Sequence, residues 1–122
     1  MRPAILTALV TAALVLPAQA ASYPVSGKWG QSASGAKGAI DCGGKRVIGF
    51  NGNQRTDSGG GVAAYRNRSV TASGPSQYRI VDEFTNGMIS NAYTNYTLRV
   101  LDSDHIELQL QKGGTLTLQR CK

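Results

Sequence analysis

Histidine is almost missing from this chain: among 122 residues there is His105 alone, and cysteine stops at two, Cys42 and Cys121. Two distant cysteines and one histidine make a poor metal set, because neither cysteine has a second ligand close by in the sequence. We therefore expect no metal and no cofactor. Catalytic signatures are missing too. There is no G-x-S-x-G elbow and no His-Glu motif, and the only adjacent acids, Asp82 and Glu83, would point to opposite faces of a strand. The chain reads as a non-enzyme. The one long apolar run covers residues 4–16, shorter than the roughly 20 residues a membrane-spanning helix needs. No stretch keeps a helical period, and no nucleic-acid-binding motif accompanies the basic residues.

What that apolar run does is set by its flanks. Arg2 precedes it, Pro17 ends it, and Ala18-Gln19-Ala20 has the spacing of an A-x-A cleavage site. Residues 1–20 read as a cleavable secretory signal, and residues 21–122 as a single domain, soluble and periplasmic or secreted by a bacterium. No cysteine lies near the cut to carry a lipid. Outside the cytoplasm thiols are oxidised, and two cysteines allow one intramolecular pairing, so a disulfide between Cys42 and Cys121 is predicted. Such a cross-link would be worth about 4 to 5 kcal/mol in the loop-entropy account.

Acids are outnumbered, seven against thirteen Lys and Arg. Residues 21–71 hold seven basic residues against Asp41 and Asp57, whereas residues 72–122 hold five of each sign. Any basic face comes from the first half. It would draw the protein weakly to anionic envelope surfaces, or simply keep it soluble.

Beyond residue 20 the hydrophobicity alternates with period two, broken by Gly- or Asn/Asp-rich stretches every eight to twelve residues, the pattern of an antiparallel all-β domain. Residues 31–38 and 51–61 read as loops. Asn86-Gly87 predicts a two-residue hairpin turn pairing Phe84 with Ile89, Asp82 with Asn91 and Ile80 with Tyr93. Apolar parity then switches between Tyr93 and Tyr96, which calls for a turn at Thr94-Asn95 or a bulge. Asp102-Ser103-Asp104 predicts a connection with Val100 opposite Ile106 and Leu98 opposite Leu108. A loop at Lys112-Gly113-Gly114, with Gly114 left-handed, would set Leu110 against Leu116. This gives a five-strand meander over residues 77–121. Three or four further strands lie near residues 25–29, 39–42, 45–50 and 62–66. Eight or nine strands in so short a chain predict a closed barrel, since closure removes both exposed edges.

The first strand carries Gly27-Lys28-Trp29 with the only tryptophan, and the last carries Arg120 in the inward register of Leu116 and Leu118. An arginine in a core register needs a reason. This pairing resembles the calycins, the lipocalin and avidin-like barrels, in which a G-x-W near the start lies beneath an arginine of the final strand. The resemblance rests on Gly27, Trp29 and Arg120 and runs thinly over the whole domain. It implies a lipocalin-like barrel with Arg120 over the Trp29 ring and with the first and last strands adjacent. The chain is shorter than a typical lipocalin and lacks a second lipocalin motif, which favours the looser bacterial lipocalin-like group.

One polar cluster is directed inward by the register: Asp82 across from Asn91, flanked by Tyr78 and Tyr93. These four form either a structural network at a wet mouth or the groups that orient a small ligand. His105 is expected on the outward face, with Asp102 and Asp104 capping backbone groups rather than orienting its imidazole. Two functions follow. The first is a lipocalin-like carrier holding a small amphipathic molecule in the barrel, through Tyr78, Asp82, Asn91 and Tyr93. The second is an extracytoplasmic inhibitor of a lysozyme or protease, acting through residues 73–78 or 51–61. The Ser-Gly-Pro-Ser-Gln-Tyr stretch at 73–78 faintly resembles the Ser-Gly-x-x-Tyr loop of periplasmic lysozyme inhibitors, one residue longer.

Overall fold

The computed structural model describes residues 22–32, 37–84 and 92–122. Residues 1–20, expected to be a secretory signal, Asn86-Gly87, expected to be a turn, and Asn91 lie outside them. Among the described residues the chain forms eight strands: β1 (Gly27–Gln31), β2 (Val47–Asn51), β3 (Gln54–Asp57), β4 (Tyr65–Gly74), β5 (Gln77–Phe84), β6 (Ala92–Asp102), β7 (His105–Leu110) and β8 (Thr115–Arg120). Each is antiparallel to the next, and β8 pairs with β1, so the meander closes into a barrel with no free outer strand.

The alternation that predicted strands also sets the interior. Ile80, Leu98, Ile106, Leu108 and Leu118 are at most 1% exposed and form the centre of the core. The β6–β7 turn pairs Leu98 with Leu108 and Val100 with Ile106, the predicted register. In the next hairpin the loop chemistry holds, with Gly114 at φ +83°, but the partners shift by two: Leu108 meets Leu116 and Ile106 meets Leu118. The inward parity is unchanged, because a two-residue slip keeps every side chain on its face.

Other expectations need correction. The meander over residues 77–121 has four strands, since β6 runs unbroken through Thr94-Asn95, where a turn was expected. Asp82 pairs with Thr94 and Ile80 with Tyr96, three residues from the predicted register. The parity switch came from Tyr93, an aromatic that faces outward and is 56% exposed. Residues 39–42 form no strand, only an isolated parallel bridge between Ile40 and Cys121. Residues 51–61 are not one loop, because β3 lies within them. That strand escaped a hydrophobicity reading because its inward residues are Arg55 and Asp57.

One end of the barrel is plugged by the contact the resemblance implied. Trp29 pairs with Arg120 across β1 and β8, and the guanidinium lies 4.4 Å from the ring centroid. Arg120 Nε and Nη2 donate to the Ser103 carbonyl at 3.2 and 3.1 Å, tying the plug to the β6–β7 turn. Gly27 has φ +92°, and a Cβ there would stand 3.3 Å from Arg120 Nη1, so both backbone and space call for glycine. The Arg120 side chain is 40% exposed, which limits the cation–ring contact to about 1 to 2 kcal/mol. Arg120→Ala should thus destabilise by about that much in urea melts and alter Trp29 emission. The exposed Arg66→Ala and Arg68→Ala should each change stability by no more than about 0.5 kcal/mol. Equal melts for all three variants would remove any energetic role for the plug.

The disulfide joins Cys42 to Cys121 with a Cα–Cα distance of 5.6 Å. It fastens the long excursion between β1 and β2 to the end of β8. Ile40 N–H donates to the Arg120 carbonyl at 2.8 Å and Gln119 Nε2 to the Gly38 carbonyl at 2.7 Å, so the excursion lies along the outside of β8. Gly30 sits under the staple, where a methyl group would overlap Cys42 Sγ.

Candidate functional site

Asp82, on the inward face of β5, is fully buried, and four donors converge on its two oxygens. Tyr23 Oη at 2.9 Å and Asn67 Nδ2 at 3.1 Å donate to Oδ1; Arg55 Nε at 2.8 Å and Tyr96 Oη at 2.9 Å donate to Oδ2. A carboxylate stripped of water needs this many partners. Each comes from a different segment: Arg55 from β3, Asn67 from β4, Tyr96 from β6, and Tyr23 from the stretch before β1, where it also packs edge-on against Phe50. The Arg55 guanidinium lies 3.8 Å from the Tyr65 ring centroid and 5.0 Å from that of Tyr96. Arg55 also faces Asp57 at 3.9 Å, and Asp57 is held by Arg46 through bonds of 2.9 and 2.7 Å. Charges of alternating sign, Arg46, Asp57, Arg55 and Asp82, thus run from the rim into the core. Burial opposes the charge of Asp57, yet the bonds from Arg46 and from the Gly59 N–H hold its carboxyl below the usual range.

The tyrosines respond in the opposite direction. Burial first, and the Asp82 charge with it, pushes Tyr23 and Tyr96 well above the ordinary 10.0. Their folded pKa values exceed the unfolded ones, so the stability they lend is complete below pH 10.0 and is lost as pH rises beyond it, where the unfolded chain releases protons first. We expect urea stability to fall above that pH and Tyr23→Phe to reduce the slope. An unchanged slope would show that Tyr23 does not set the alkaline limb.

Of the four residues expected to share a ligand site, Asp82 is inward and buried as read. Tyr78 lies on the same face of β5, half-buried and paired with Leu98. Tyr93 pairs with Glu83 on the outer face, and Asn91 lies outside the described residues. The structure therefore does not bring Tyr93 to Asp82; its partners are residues that strand alternation did not single out. Arg55 and Asn67 lie in stretches of low apolar content, and Tyr23 precedes the first strand. Tyr96 could have been found from its inward parity with Leu98 once the extra turn is removed.

A cavity of about 240 Å³ opens at the end opposite the Trp29 plug. Its floor includes Ile48, Leu108, Leu110 and Leu116, and its wall is polar and basic: Arg46, Arg55 and Lys112 with Tyr65 and Tyr96. Asp82 does not line it. Arg55 and Tyr96, the two donors to Asp82 Oδ2, line the cavity instead, so they close the carboxylate off from the mouth. Three cations against Asp57 leave the lining with an excess of positive charge. Lys112, exposed at the rim, has no ion pair among the described residues.

His105 needs correction in two respects. Its outward register holds, but it is buried, beside its β8 partner Gln119. Asp102 does cap the Asp104 N–H at 2.8 Å, yet the same carboxylate also holds His105 Nδ1 at 2.8 Å. The His105 bond and then the Asp104 N–H keep Asp102 below the usual carboxylate range. Among the described residues no three His, Cys, Asp or Glu side chains gather as a metal set, and no helix is long and apolar enough to cross a membrane.

Fold and site together define a small, disulfide-fastened, eight-stranded antiparallel barrel, plugged at one end and carrying a basic, apolar-floored cup at the other. No protein-family model, curated protein or solved structure matches the chain.

Proposed function

We propose that this chain is an exported, non-enzymatic, lipocalin-like binding protein whose ligand, a small amphipathic anion, sits in the mouth of the barrel. The carrying observation is the 240 Å³ cup, apolar below and ringed by Arg46, Arg55 and Lys112. A short apolar body would rest on Leu108, Leu110 and Leu116, and its acidic head would meet Lys112, the one of these three cations in no ion pair among the described residues. Export is supported by the leader pattern and is compatible with the disulfide. The calycin likeness is supported by the closed meander and by Arg120 over Trp29.

Octanoate and 1-octanol, titrated calorimetrically, test this reading. Octanoate should bind more tightly than the alcohol, Lys112→Glu should weaken it about tenfold, or about 1.4 kcal/mol, and Leu110→Trp should block both. Equal binding to the parent and to Leu110→Trp would exclude the cup. A second reading, inhibition of a lysozyme or protease, is favoured by the β4–β5 hairpin tip, exposed through Pro75 and Ser76. Slowing of such an enzyme by the protein, lost on removal of Pro75 and Ser76, would decide for it.

A further inference from the structure

We propose that the outer face of β4–β7 is a second binding site, bordering the mouth along Asn95 and Gln111, that takes an uncharged oligosaccharide chain. A groove of about 580 Å³ lies there, on the side of the sheet away from the core. Its composition is unusual for a chain with net charge +6: Arg79 is the only ionisable side chain among the outward residues lining it. The rest of its polar lining consists of hydroxyls and amides.

The strand registers arrange these groups in order. Thr71 pairs with Arg79, Arg79 with Thr97, and Thr97 with Gln109, which makes one continuous row across four strands. A second row runs beside it from Ser69 through Val81 to Asn95. Neighbouring strands stand roughly 4.8 Å apart. Hydrogen-bonding groups therefore recur across the groove at a spacing close to the rise of one pyranose unit in an extended glycan. Amides and hydroxyls both donate and accept, as sugar hydroxyls do, whereas a lone guanidinium can fork onto two adjacent hydroxyls.

Sugars also present an apolar face of C–H groups, which Val81 within the groove and Tyr93 beyond its edge can meet. Val81 lies in the second row. Tyr93, two residues beyond Asn95 on the same outer face of β6, is 56% exposed and is one of two large hydrophobic side chains left in water among the described residues. An aromatic ring on the same face as rows of hydroxyls and amides suits an amphipathic, neutral ligand. A polyanion would want several cations, and a nonpolar peptide segment would want a deeper apolar pocket than one valine provides.

Cellotetraose and N,N′,N″,N‴-tetraacetylchitotetraose are the probes, followed by backbone amide NMR shifts at millimolar sugar. At least one of them should shift Thr71, Arg79, Thr97 and Gln109, with Ile48 and Leu116 of the mouth unmoved. Tyr93→Ala should weaken binding about tenfold, and Gln109→Ala, at a residue that lines the groove and not the mouth, should weaken it several-fold; both side chains are exposed, so neither change should unfold the barrel. The proposal is overturned by silence from both sugars, by shifts confined to the mouth, or by parent-like binding in both variants. Tighter binding of a sulfated polysaccharide that Arg79→Gln abolishes would also overturn it. Octanoate binding reads the mouth separately, so the two readings can fail one without the other.

Discussion

Asp82→Ala should be the most damaging single substitution on the inner face of the sheet, lowering stability by about 3 to 5 kcal/mol. The loss would come less from the bonds removed than from what they leave behind. Arg55 is 6% exposed, and without Asp82 its charge would face Asp57 only at 3.9 Å, with Asp57 already engaged by Arg46. Tyr23 and Tyr96 would keep buried hydroxyls without their acceptor, and Asn67, whose Oδ1 already has no partner among the described residues, would lose an amide contact as well. Domains of this size hold only about 5 to 15 kcal/mol in all. Urea melts followed by circular dichroism and Trp29 emission should show much of that margin gone. Asp82→Asn, which keeps an acceptor, should cost less, and Arg55→Leu combined with Asp82→Leu should cost less than Asp82→Ala alone because no buried charge is stranded. A loss below about 1 kcal/mol for Asp82→Ala would mean that the network contributes little to folding.

Loss of the staple should come close behind. The two cysteines are 79 residues apart, and opening a loop of that length costs about 4.5 kcal/mol in the chain-entropy account. Cys42→Ala with Cys121→Ala should lower the melting temperature by on the order of 20 °C. Mass should rise by two protons on reduction of the parent and stay constant for the variant. Gly30→Ala should reproduce part of the effect with both cysteines present, because its methyl group would push Cys42 Sγ off the barrel wall. A double variant that melts like the parent would show that the excursion between β1 and β2 is held by its backbone bonds alone.

Local periodicity and turn chemistry carried most of the strand reading. Alternation fixed the strand class and the inward face of β5, β7 and β8, and Asp102-Ser103-Asp104 fixed the register of Leu98 with Leu108. The cysteine count left one pairing, parity turned Arg120 inward, and the calycin resemblance implied its place over Trp29. Which charges could be buried depended on contacts made when the barrel closes. Alternation counts apolar side chains, so it passed over β3, whose inward residues are Arg55 and Asp57, and it was misled at Tyr93, an aromatic left in water. Asp82 was legible as an inward carboxylate, but its partners lie 14, 15, 27 and 59 residues away and become partners only when the barrel closes. A charge in the core is tolerated through the donors that closure gathers around it, and no local pattern records them. His105 follows the same logic: its outward register was readable from alternation, whereas its burial beside Gln119 depends on neighbours that only the closed fold brings together.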